Sequence, residues 1–182
     1  MFRPFVRAAL FAGAASMLLA ARPTAASAQW NPSLVVKLGA NVPIGDFGDA
    51  TNLGYTVGIG GEFRKRTTPV GFRLELDFYE NEIEHSDVKW RHFAGIANAT
   101  YQAPSSNLYL IGGLGVYRSY FDFDNQFDDD NDFSETNLGL NGGAGLRFNL
   151  TDFSTFVEAR FHHQFSDGGG ITFLPITFGV RF

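Results

Sequence analysis

The chain has 182 residues, a formal charge of −5 and no cysteine; this length suits one domain, and the acidic balance argues against a nucleic-acid partner, which would need a basic face. Mean hydropathy is −0.06, and no apolar run after residue 28 approaches the roughly 20 residues of a membrane-spanning helix. A small domain without disulfides has to be held together in another way, and a closed cylinder of backbone hydrogen bonds is one.

The first element in chain order is an export signal. Arg3 and Arg7 make a positive start, Ala8 to Ala21 is an almost unbroken apolar run, and Ala26-Ser27-Ala28 has the small-x-small form of a cleavage site. The sequence predicts a signal peptide at residues 1–28 and a single domain at 29–182. Removing Arg3, Arg7 and Arg22 with that segment takes the formal charge from −5 to −8. In an exported protein that lies in a membrane, only helices or closed barrels can span lipid.

The rest of the chain reads as eight strands. Leu34 to Leu38 opens the series. Tyr55, Val57, Ile59 and Phe63 then alternate with Thr56, Gly58, Gly60, Glu62 and Arg64. From Phe72 to Phe78 every even position is apolar and every odd one charged, the period of two that marks a strand with unlike faces. Trp90 to Tyr101 and Leu108 to Tyr117 follow, with a phase that their small residues leave open. Leu138, Leu140, Ala144, Leu146 and Phe148 alternate with Asn137, Asn141, Gly143, Gly145 and Arg147. Val157, Ala159, Phe161 and Phe165 oppose Glu158, Arg160, His162 and Gln164, with His163 breaking the apolar row. Leu174, Ile176, Phe178, Val180 and Phe182 close the series against Thr177, Gly179 and Arg181.

Connections 65–69, 102–107 and 149–152 are short and rich in Pro, Asn, Asp and Ser. Those at 41–52, 80–89 and 121–135 are longer and polar, while 166–170 is shorter and Gly-rich. Short periplasmic turns alternating with longer outer loops are how outer-membrane barrels are built. The expected fold is all-β: an eight-stranded antiparallel up-and-down transmembrane β-barrel.

In such a barrel the charged row faces inward. The expected interior charge network is Lys37, Glu62, Arg64, Arg73, Glu75, Asp77, Arg147, Glu158, Arg160, His162 and Arg181, whose two signs can pair as buried charges must. A wet outer face on a soluble barrel is the competing reading of the same alternation. Eight strands leave a lumen that side chains just fill, so a plugged interior is favoured over a narrow channel. Inward glycines 58, 60, 143, 145 and 179 give the facing side chains room.

The alternate apolar row Leu174, Ile176, Phe178, Val180 and Phe182 resembles the C-terminal signal that the outer-membrane assembly machinery recognises on its clients. Gly39-Ala-Asn-Val-Pro43-Ile-Gly45-Asp-Phe47 and Leu110-Ile-Gly112-Gly113-Leu-Gly115-Val-Tyr117 resemble the family of small outer-membrane barrels related to OmpX, OmpW and the opacity proteins. The resemblance covers residues 29–182. It implies the fold, a bacterial outer-membrane location, and contact with outer-membrane lipid and lipopolysaccharide. The family includes adhesins, small-molecule pores and proteins without an assigned role, so fold does not settle function.

Two stretches suggest chemistry. Residues 121–135 carry seven acids and no base, which could suit a divalent cation. Asp128-x-Asp130-x-Asp132 copies the start of an EF-hand loop, but Phe133 stands where Gly is required and Gly139 where Glu is. His162, His163 and Ser166, with Glu158, lie where outer-membrane lipid A deacylases, which this stretch resembles, keep a His, a Ser and a Glu. The spacing of that family is absent, and a Ser nucleophile needs a base within hydrogen-bond reach. The expectation is a non-enzymatic barrel with no cofactor or metal, monomeric, with a structural or surface-interaction role. A lipid A hydrolase and a narrow solute channel are the alternatives.

Overall fold

The structure is a computed structural model that describes residues 30–65, 67–84, 89–122, 134–166 and 169–182. Eight strands follow one another: β1 (Trp30–Ile44), β2 (Gly54–Lys65), β3 (Val70–Glu82), β4 (Lys89–Gln102), β5 (Leu108–Asp122), β6 (Ser134–Asn149), β7 (Ser154–Gln164) and β8 (Ile171–Arg181). A single helical turn, α1 (Asp46–Ala50), follows β1. Each strand pairs antiparallel with the next, and β8 returns to β1, with register from Val35↔Arg181 to Ile44↔Thr172, to close the barrel. Reciprocal backbone bonds between Leu34 and Phe182, at 3.1 and 2.9 Å, finish the seam. No sheet edge remains, so every strand has its hydrogen-bonding partners without help from water.

Face chemistry has the polarity expected in lipid. Leu38, Leu76, Leu114 and Leu138 point outward and are 59–67% exposed, whereas Lys37, Glu62, Arg73, Glu75, Asp77, Glu158 and Arg160 point inward and are at most 3% exposed. A soluble barrel would put these sets the other way round. Aromatic rings bound the apolar belt, as interfacial girdles do in outer-membrane barrels. On one rim Trp30 meets Phe72 at 6.0 Å and Phe153 meets Phe182 at 6.2 Å; on the other a row runs Tyr55–Phe78–Phe93–Tyr120 at 6.1, 4.9 and 6.1 Å. The first rim shares its end with the short turns, which makes it the periplasmic one.

The strands run further than the alternation implied. Residues 41–44, expected in a loop, belong to β1, because they pair with Pro175 to Thr172 of β8. Glu80 to Glu82, Phe121 to Asp122 and Ser134 to Glu135 likewise extend β3, β5 and β6. Alternation reports contrast between faces, and the signal fades where both faces are polar, as at Glu80 to Glu82, or both apolar, as at Val42 to Ile44, while pairing continues. β1 to β6, at 12 to 16 residues, exceed the roughly 9–11 needed to cross a membrane, and the surplus stands on the outer side. Residues 123–133, which hold the EF-hand-like spacing, lie outside the described residues.

Candidate functional site

The inward face of every strand contributes to one bonded interior. Lys37 of β1 donates to Glu75 at 2.7 Å and Asp77 at 2.8 Å, both on β3. Arg160 of β7 reaches across to Glu75 at 2.7 and 3.3 Å and lies 2.8 Å from Glu158 on its own strand. Arg73 bridges two carboxylates, with Glu62 of β2 at 2.9 and 3.1 Å and Glu158 at 2.8 Å. Neutral groups complete the shells: Asn98 of β4 donates to Glu75 at 2.7 Å, Tyr109 of β5 to Glu158 at 2.6 Å, and Tyr79 to Asp77 at 3.0 Å. At the periplasmic end Arg147 of β6 and Arg181 of β8 donate to Glu62 at 2.9 and 3.3 Å, while Arg64 sits 3.6 Å from it.

Local sequence explains why so many long side chains fit. A Cβ at Gly58 would collide with the Asp77 carboxylate and approach the Lys37 stem to 2.7 Å, and one at Gly145 would meet the Tyr109 ring at 2.5 Å. Glycine on one wall therefore makes room for the polar or aromatic group from the next. The guanidiniums are also held over rings: Arg73 over Tyr109 and Phe156 at 5.6 and 5.2 Å, and Arg147 over Tyr109 at 4.8 Å.

Toward the outer side the filling changes from ionic to aromatic. Phe173 of β8 sits amid Tyr79, Trp90, His92, Tyr117 and His162 at centroid distances of 5.0 to 6.4 Å, and Trp90 contacts Phe47 of α1 at 4.5 Å. His162 belongs here: its ring stacks on Phe173 at 16° and its Nδ1 pairs with the Tyr117 hydroxyl at 2.8 Å. Among the described residues it makes no ion pair, unlike the other ten charged residues of the expected row. Sequence reasoning missed Asn98, Tyr79, Tyr109 and this aromatic layer. In β4 the even-numbered His92, Asn98 and Thr100 were a usable polar signal, diluted by Ala94 and Ile96 between them.

The Ser-His arrangement of a hydrolase does not assemble. Ser166 Oγ donates to Glu135 at 3.2 Å and His163 Nδ1 pairs with Thr172 Oγ1 at 2.9 Å. His162 faces the interior while His163, one residue on, faces out, so a single base cannot be drawn from both. No hydrogen bond joins Ser166 to either histidine among the described residues. No cluster of metal-ligating side chains occurs among them either.

A closed antiparallel barrel with a charged interior, an apolar belt and two aromatic rims defines an outer-membrane barrel protein. The chain belongs to the outer membrane protein β-barrel domain family, whose model matches residues 11–182, and its place is the bacterial outer membrane. Its fold is similar to Neisserial surface protein A, with 17% identity, a TM-score of 0.66, and coverage of 85% of this chain and 96% of that one. It is similar also to Ail, the attachment invasion locus protein of Yersinia pestis, in complex with the heparin analogue sucrose octasulfate (18% identity, TM-score 0.54, 84% and 98% covered). The N-terminal β-barrel domain of Pseudomonas aeruginosa OprF aligns at 18% identity and a TM-score of 0.50, over 85% and 100%. No curated protein sequence matches.

Proposed function

We propose that this protein is a plugged, non-enzymatic barrel that serves the outer membrane as a structural and surface-interaction element, displaying its outer connections on a rigid stave. One observation carries this reading. The interior is bonded across all eight strands, and its central charged residues, Lys37, Arg73, Glu75 and Arg160 among them, have at most 3% exposure. A water-filled path past these side chains would expose them. Rigidity follows from the same contacts, because moving any one strand breaks an ion pair or a hydrogen bond to at least one other.

Residues 1–28 act in this scheme as the export signal, and the outward row Leu174, Ile176, Phe178, Val180 and Phe182 as the mark read by the assembly machinery. The outer-side cations Lys89, Arg91 and Arg118 stand beside the aromatic rim on strands β4 and β5. There they can meet lipopolysaccharide phosphates while the belt contacts its acyl chains. The barrel closes on its own strands, so one chain completes it.

Planar-bilayer recording tests the plug. Purified protein inserted at neutral pH gives no unitary current steps above the lipid baseline, and truncating Lys37 and Arg160 together to alanine produces them. Regular steps from the unaltered protein would make it a channel. Fatty-acid release from lipopolysaccharide micelles that stops in Ser166→Ala would make it a hydrolase.

A further inference from the structure

We propose that the periplasmic mouth of the barrel is a binding site for a phosphoryl group, carried either by soluble phosphate compounds or by the headgroup of an inner-leaflet phospholipid. This goes beyond the plugged structural role and does not depend on it. A cavity of about 620 Å³ opens at this end, lined by Arg64, Lys65, Arg147 and Arg181 together with Gln102 and Asn107. Among the described residues no acidic side chain lines it.

The charges at its floor do not balance. Among the described residues Glu62, fully buried, is the one carboxylate there, and Arg64, Arg147 and Arg181 all pair with it and with no other acid. Arg73 claims the same carboxylate from below at 2.9 Å while sharing Glu158. Three guanidiniums therefore meet a single negative charge that is itself divided, and Lys65 adds a further cation at the rim. Asp152 borders a neighbouring cavity beside Arg181 but forms no ion pair with it.

Hydrogen-bonding capacity is left over in the same place. Arg147 Nε is buried without an acceptor although its side chain is only 3% exposed, and so are Nε and one Nη of Arg64. The 3.6 Å between Arg64 and Glu62 is too long for a hydrogen bond. Buried donors on a cation are costly to leave unmet.

The donors are also fixed in place. Arg147 is held by Gln102 at 3.3 Å and by the Tyr109 ring, and Arg181 by Ser154 at 3.0 Å. Rigid guanidinium forks converging on one cavity suit a tetrahedral oxyanion, which accepts several N–H groups at once and carries enough charge to offset the excess. Inorganic phosphate and phosphate monoesters have both properties; a phosphodiester headgroup keeps the tetrahedral oxygens but carries one charge, and a carboxylate has one charge and a single planar face.

Protein in neutral maltoside micelles, free of phosphate, provides the test. Titration with inorganic phosphate, with glycerol 3-phosphate and with phosphatidylglycerol doped into the micelles is followed by thermal unfolding and by ³¹P line broadening. Saturable stabilisation by the soluble compounds assigns the site to a periplasmic solute, and by the lipid alone to the membrane leaflet; either supports the proposal. Arg64→Gln, whose side chain is partly exposed and makes no hydrogen bond to Glu62, keeps the fold and weakens binding by about tenfold or more, the expected loss of a charge-assisted hydrogen bond. Absence of saturable stabilisation by all three, unchanged affinity in Arg64→Gln, or an equal effect of acetate at matched ionic strength would overturn it.

Discussion

Glu75 concentrates the interior bonding on one side chain. Its two oxygens accept from Lys37, Arg160 and Asn98, so Glu75→Ala strips an acceptor from three buried donors at once. Breaking a buried ion pair by removing one partner costs roughly 3–5 kcal/mol, whereas an exposed change such as Asp49→Ala in α1 shifts stability by about 0.5 kcal/mol or less. In urea titrations from detergent, Glu75→Ala unfolds at a clearly lower midpoint and Asp49→Ala at the original one; equal midpoints would mean that the charged row is hydrated. Glu75 was legible from sequence because Leu74 and Leu76 flank it on the opposite face. Tyr117 was not, since tyrosine suits a lipid interface and a packed lumen equally. Tyr101 and Tyr117 have the same side chain and opposite orientations.

At the scale of elements, β8 has two duties that can be separated. Its outward row faces lipid, with Phe178 and Phe182 at 50% and 62% exposure, while its inward row supplies Phe173 and Arg181 to the lumen. Phe182 also makes both closing backbone bonds to Leu34. Deleting Phe182, or replacing Phe178 by Asp, lowers the amount of protein in the outer-membrane fraction while the exported chain accumulates in the periplasm, as immunoblots of fractionated cells would record. Outer-membrane levels unchanged in both variants would remove the assembly role from this row. The count and order of strands could be read from alternation, and from turn chemistry between them, without any tertiary information. Their outer ends could not, because β1 is held past Asn41 by pairing with β8, 128 to 132 positions away in the chain, and no local pattern encodes that. The phase of β4 and β5 was open for a related reason: Gly95, Ala97, Ala99 and Gly112 on their outer faces are too small to contrast with Ala94 or Gly113 within.

The whole molecule divides along its axis into an ionic half toward the periplasm and an aromatic half beneath the outer connections, wrapped by one continuous belt. The mouth arginines escaped the sequence reading although each was identified as inward, because charge excess is a property of three strands meeting at one height. Periodicity along any one of them is blind to it. The two tryptophans of the chain happen to sample both halves from opposite sides of the wall. Trp30 lies on the outer surface at the periplasmic rim, 39% exposed, and Trp90 is inside near the other end, 1% exposed and packed on His92 at 3.9 Å and Phe47 at 4.5 Å. The protein thus carries two native fluorophores with separate reporting tasks. Brominated acyl chains quench Trp30 and leave Trp90 untouched, so emission from Trp30→Phe is insensitive to bromine while that from Trp90→Phe is strongly reduced. Equal quenching of the two variants would place both indoles in lipid. With each variant in hand, the moment the wall enters the bilayer and the moment its lumen packs can be timed separately during refolding, as two optical signals from one chain.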